Sequence, residues 1–162
     1  MPFIKEPDGT YITPKSVTED EIIAQARSIL VEQLKIPGAA FNCPETVKEY
    51  FRISLVNHER EVFSCLFLDN KHRLIEYEEL FLGTIDQATV HPREIAKAAL
   101  NQNAAALIVG HNHPSGDPTP SQADEVITKK IKVSLELFDI RLLDHIVVGC
   151  SEAVSFAEIG LL

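Results

Sequence analysis

Ala104-Ala-Ala-Leu-Ile-Val109 runs through Gly110 into His111-Asn-His-Pro-Ser-Gly-Asp-Pro-Thr-Pro120, and then into Ser121-Gln-Ala-Asp124. The first six residues are continuously apolar and short, the pattern of a strand buried on both faces. Pro114, Pro118 and Pro120 suit neither helix interior nor ladder, so the polar stretch from His111 to Pro120 reads as a loop. From residue 121 to about 138, Ala123, Ile127, Ile131, Leu135 and Phe138 recur on one helical face. A buried strand, a loop and an amphipathic helix in that order belong to an α/β layer.

Working outward, residues 140–149 predict another long strand and residues 154–156 a short final piece. Upstream, Pro92 occupies the first-turn position of a helix that reaches about residue 101. Before it come a connection at Gly83-Thr84, an edge strand near residues 88–91, and two strands, 61–69 and 73–81, turned at Asn70-Lys71-His72. A helix starts near Pro44 with Val47, Tyr50, Phe51 and Leu55 on one side. Another starts at Glu19, carries Ile22, Ile23, Ala26, Ile29, Leu30 and Leu34 at helical spacing, and stops at Ile36-Pro37-Gly38. Residues 1–17 read as an arm. The expected fold is α/β, a mixed β-sheet flanked by helices. Residues 1–39 form an arm and helix, and residues 40–162 one domain.

The whole chain narrows the function classes. Its 162 residues carry 24 acidic and 15 basic side chains, a formal charge of −9. That average repels a phosphate backbone, so direct nucleic-acid binding would need a local basic patch. The densest cluster, Lys129, Lys130 and Lys132, lies on a predicted helix and reads as a solvated face. Cys43, Cys65 and Cys150 form no CxxC pair, which argues against a disulfide framework and a Cys-rich zinc module. No apolar run approaches the roughly 20 residues needed to cross a bilayer. The N-terminus lacks a signal-peptide pattern. A reduced, cytoplasmic protein without a membrane segment is expected.

The chemistry concentrates in His111-x-His113, seven residues, Ser121, two residues, Asp124. Residues i and i+2 of an extended segment point the same way, about 6.5 Å apart, so two imidazoles there can converge on one ion. They sit at the carboxyl end of a buried strand, where open α/β sheets place their sites. Asp124 lies in the first turn of the next helix, which can fold back over that strand end. Two neutral histidines and a carboxylate leave a fourth tetrahedral position for water, the arrangement of catalytic zinc. Each fragment also has a plainer explanation. His-x-His is commonly a pair of surface histidines, and Ser121-x-x-Asp124 is also a helix-capping signal. Four fixed positions together should arise by chance in roughly one chain per few thousand of this length. The joint pattern favours a metal.

The stretch His111–Asp124 resembles the signature of the JAMM (JAB/MPN-type) metalloproteases in its bacterial RadC-like form. The blocks Glu61-Val-Phe-Ser-Cys-Leu-Phe-Leu-Asp69, Gly83-Thr84, His91-Pro-Arg-Glu94, Asn103-Ala-Ala-Ala106, Leu143-Asp-His-Ile-Val-Val-Gly149 and the end at 154–160 are similar to RadC family blocks, in the same order. Full-length RadC proteins carry an upstream helix-hairpin-helix segment, whose glycine pattern residues 1–39 lack, so the chain resembles the short form.

The resemblance implies a three-layer JAB/MPN-like (cytidine-deaminase-like) fold. It also implies one Zn2+ per chain on His111, His113 and Asp124, and hydrolysis of a peptide or isopeptide bond in a protein substrate. Ser121 would help hold the oxyanion, and a glutamate at the start of an earlier strand would shuttle the proton. Glu61, which opens the first apolar strand, matches that position, with Glu59 in reserve. Two alternatives stand beside the zinc metallopeptidase: a non-catalytic metal-binding interaction module, and a DNA-repair-associated RadC-like factor. A zinc nucleoside deaminase fits less well, because its His-x-Glu and Cys-x-x-Cys elements are absent.

Other residues rank lower. Asp117 could compete as a ligand, yet Ser-Gly-Asp-Pro reads as turn chemistry. His91-Pro92-Arg93-Glu94 either recognises substrate or simply begins a helix. Asp144 and His145 are adjacent on a strand and so point to opposite faces. Either one of them orients a metal ligand, or Asp144 only pairs locally.

Overall fold

A computed structural model describes residues 2–37, 44–83 and 89–162. In chain order the elements are β1 (Ile4–Lys5), β2 (Tyr11–Ile12), α1 (Glu19–Leu34), α2 (Pro44–Leu55), β3 (Val62–Leu68) and β4 (Leu74–Leu82). Then follow α3 (Pro92–Asn101), β5 (Ala106–Asn112), α4 (Gln122–Glu136), β6 (Arg141–Val148) and β7 (Ala153–Ser155). The main sheet has the order β4-β3-β5-β6-β7, with β5 and β6 parallel and the other pairs antiparallel. The two parallel strands are joined through α4, as a parallel pair requires a crossover.

Alternation along the strands makes two cores. Val62, Leu66 and Leu68 of β3 join Ala106 and Ile108 of β5 beneath Leu34 of α1 and Val47, Phe51 and Leu55 of α2. Phe63, Cys65 and Phe67 face the other way with Leu107 and Val109, beneath Ile95 and Ala99 of α3 and Ile131 and Leu135 of α4. The result is the expected three layers, helix pair, mixed sheet, helix pair. All of β3 and β5 is buried, whereas the edge strand β4 turns Glu76, Glu79 and Leu82 to solvent. No helix among the described residues is long and apolar enough to cross a membrane.

The structure departs from the sequence expectations in four places. The arm contains the hairpin β1–β2, whose turn places Gly9 at φ +88°, where glycine carries no steric penalty. Residues 89–91 form no strand, and Thr84 and Ala88 lie outside the described residues, as does Cys43. The strand expected to end at Val109 continues to Asn112, so His111 belongs to β5 and not to the loop. Helix α4 ends at Glu136, beyond which Phe138 and Ile140 both donate to the Leu135 carbonyl and Asp139 takes φ +57°. Phe138 is therefore half exposed, and Thr128 is buried on the inner face instead.

Candidate metal centre

The end of β5 carries two buried polar residues, His111 and Asn112, and Asn112 is satisfied by backbone groups. Asn112 accepts from the Val62 amide at 2.8 Å through Oδ1 and donates to the Arg60 carbonyl at 3.0 Å through Nδ2. This clamp fastens the entry of β3 to the exit of β5. The ladder pairs Phe63 with His111, and Glu61 precedes β3 at that same end, close enough for its charge to act on the His113 ring. Past the strand, the His113 amide donates to the Val148 carbonyl at 2.8 Å, and the Gly116 amide to the His113 carbonyl at 2.9 Å. Gly116, at φ +87°, turns the loop back to the Cys150 amide, and Asp117 Oδ1 accepts from the Thr119 amide at 2.9 Å. Asp117 is thus turn chemistry, as expected.

Helix α4 then begins with a complete capping box. Ser121 Oγ accepts from the Asp124 amide at 3.2 Å, and Asp124 Oδ2 accepts from the Ser121 amide at 2.7 Å. The capping reading of Ser121-x-x-Asp124 is correct, and it does not compete with the metal reading. The box uses Oδ2 and holds the carboxylate over the end of β5.

His111, His113 and Asp124 meet there. The two Nε2 atoms are 3.0 Å apart, His111 Nε2 lies 3.2 Å from Asp124 Oδ1, and His113 Nε2 lies 3.4 Å from Asp124 Oδ2. A tetrahedral zinc with ligands at 2.0–2.1 Å requires ligand atoms about 3.3 Å apart. The nitrogen pair, and each ring nitrogen with its nearer carboxylate oxygen, come close to that spacing. One ligand atom from each residue lies within 4.8 Å of the others, so among the described residues this is the group that could hold a metal ion.

The ring protons agree with this use. His113 Nδ1 is 2.8 Å from the Asp117 carbonyl, which can only accept, so Nδ1 carries a proton and the neutral ring turns the Nε2 lone pair inward. In the metal-free protein the Asp124 carboxylate raises the pKa of His113, with Glu61 a smaller contributor of the same sign. For Asp124, burial alone would push the carboxyl up. The adjacent His111 and His113 rings, and then Ser121, outweigh it and hold the group well below the usual carboxylate range. A carboxylate that stays ionised is what a cation site needs.

Two further residues lie behind His111. His145 Nε2 is 2.8 Å from His111 Nδ1, and His145 Nδ1 is 2.6 Å from Thr128 Oγ1. His145 is fully buried, and desolvation, then the neighbouring His111, depresses its pKa well below the usual histidine value. Asp144, on the opposite face, accepts from the His145 and Ala157 amides at 2.7 and 3.0 Å and from Ser155 Oγ at 2.5 Å. It pairs locally. Sequence reasoning missed Thr128 and the Asn112 clamp. Thr128 had a signal, since it stands one helical turn after Asp124 and so on the same face.

The fold and the site define a three-layer α/β protein with a His-His-Asp group at the end of its central strand. The family model of the RadC-like JAB domain matches residues 41–161, and the chain belongs to that family. Two relatives named UPF0758 protein, both from Vibrio cholerae serotype O1, are 53% and 54% identical over 156 and 152 residues. The match covers 96% and 94% of this chain and 98% and 96% of theirs. A UPF0758 protein of Coxiella burnetii is 58% identical over 136 residues, 84% of this chain and 60% of that protein.

Proposed function

We propose that the protein is a zinc-dependent hydrolase that cleaves peptide or isopeptide bonds with an activated water. The observation that carries this reading is the convergence of the two Nε2 atoms, 3.0 Å apart, on the Asp124 carboxylate, with Oδ1 3.2 Å from His111 and Oδ2 3.4 Å from His113. One zinc ion per chain held there would supply Lewis acidity and lower the pKa of a bound water to about 7.

The chain's own residues do the rest. Glu61 takes the proton of the attacking water and delivers it to the leaving amine. Its place just before β3 and its electrostatic reach to the His113 ring support the assignment over Glu59, which is exposed in the preceding bend. Ser121 has one hydroxyl proton, at present directed to Asp124 Oδ2 at 2.6 Å. Holding the oxyanion requires the hydroxyl to swing off that carboxylate, and such a donor contributes about 3–4 kcal/mol in the transition state.

A panel of peptides and isopeptide-linked substrates, incubated with zinc-loaded protein, tests the reading. Cleavage that disappears with chelator and returns with zinc is expected. Zinc-loaded protein that cleaves no member of a broad panel contradicts hydrolysis and leaves a metal-binding module.

A further inference from the structure

The polar atoms behind His111 form a single line: His111 Nδ1, His145 Nε2, His145 Nδ1, Thr128 Oγ1 and the Asp124 backbone oxygen, with successive hydrogen bonds of 2.8, 2.6 and 2.5 Å. Its last member decides the direction of every other. A carbonyl oxygen can only accept, so the one hydroxyl proton of Thr128 points at the Asp124 carbonyl. Thr128 Oγ1 must then accept from His145, which puts a proton on His145 Nδ1. The His145 ring is wholly buried, stacked on Phe156 at 4.7 Å and edge-on to Phe63 at 5.5 Å, an environment that favours a neutral ring. A neutral ring with its proton on Nδ1 has a lone pair on Nε2. That atom accepts from His111 Nδ1, and His111 Nε2 is left bare, facing His113 and Asp124.

We infer that His145 and Thr128 are positioning residues that fix His111 in the tautomer able to bind a metal. The inference rests on the metal reading above. The alternative tautomer of His111 would place a proton on the atom that must donate its lone pair to the ion. The line starts and ends on the site, since Thr128 is bonded to the backbone of Asp124, one ligand, and His145 to the ring of His111, another. A shift of α4 along the sheet therefore disturbs both ligands together. His113 obtains the same tautomer separately, from the Asp117 carbonyl. Partners of this kind are worth about ten- to a hundredfold in metal affinity.

Thr128→Val keeps the side-chain volume and removes the hydroxyl, which frees His145 to carry its proton on Nε2 and to donate to His111. Two readouts apply to the full chain: zinc affinity by competition with a chromophoric chelator, and the imidazole nitrogen shifts of zinc-free protein by NMR above the histidine titration range. In the wild type both His111 and His145 are expected to carry the proton on Nδ1. In Thr128→Val, affinity is expected to fall about ten- to a hundredfold and His111 to move towards Nε2–H, with Thr128→Ser restoring both. Wild-type spectra that place the His145 proton on Nε2 overturn the inference without any variant. Equal zinc affinity in Thr128→Val and wild type overturns it while leaving the hydrolase reading intact. A wild type that takes up no zinc overturns both.

Discussion

Asp124 Oδ2 receives the Ser121 hydroxyl at 2.6 Å, and Oδ1 of the same carboxylate lies 3.2 Å from His111 Nε2. One side chain thus closes the first turn of α4 and one edge of the metal triangle, so a substitution at Ser121 acts on the helix and on the chemistry together. Ser121→Ala should cost about 1 kcal/mol of stability and Ser121→Gly only a few tenths, because glycine is a tolerable N-cap. Both remove the oxyanion donor, for which a fall of about a hundred- to a thousandfold in turnover is expected. Urea unfolding beside peptidase assays of the two variants separates the roles. Turnover that tracks stability across the pair would contradict the catalytic one.

Glu61→Gln keeps the shape of the side chain and removes its basicity. Glu61 is not part of the triangle, so zinc content should be unchanged while turnover falls by about two to four orders of magnitude. Metal analysis and a peptidase assay on the same preparation check both halves. Full turnover in this variant would transfer the proton step to another group.

Gly110 lies one residue before His111, with its α-carbon facing α2. A Cβ added there would stand 2.5 Å from Cδ1 and Cε1 of the fully buried Phe51 ring. Gly110→Ala is expected to lose about 1–3 kcal/mol by overpacking. Pairing it with Phe51→Leu, which clears the space, should recover part of that loss, a coupling that a double-mutant cycle measures.

Asp144 carries a pH dependence. Burial raises its carboxyl above the ordinary 3.8, against hydrogen bonds from Ser155 and the Ala157 and His145 amides. A raised folded value means that the folded protein binds this proton more tightly than the unfolded chain. The stabilisation is full below about 3.8 and is lost as pH rises through the folded value. Denaturant unfolding of wild type and Asp144→Asn at pH 4 and pH 7 should show the wild type gaining on the variant at the lower pH. Asp144→Ala, which orphans three donors, should be the least stable at both.

The layers were legible because periodicity reports burial. Val47, Phe51 and Leu55 marked α2, and short runs rich in apolar residues marked β3 and β5. Polarity misled where a polar side chain is buried by design. Asn112 looks like a loop residue, yet its amide stands in for two backbone partners, and so β5 was cut short before His111. His113 and Asp124 could be placed from spacing, since each follows a local rule of strand or helix. The link between His145 and Thr128 could not, because it joins residues 17 positions apart through the packing of α4 on the sheet. The hairpin at Ile4–Ile12 escaped for another reason: two-residue strands carry too little alternation to be read.

The central claim is that Nε2 of His111, Nε2 of His113 and a carboxylate oxygen of Asp124 hold one divalent ion. Metal analysis of protein purified without chelator, run beside His113→Ala, tests it most directly. Close to one zinc per chain is expected in the wild type, and a large loss in the variant. Wild-type protein free of metal even after incubation with zinc, or a variant that keeps the full complement, would contradict it.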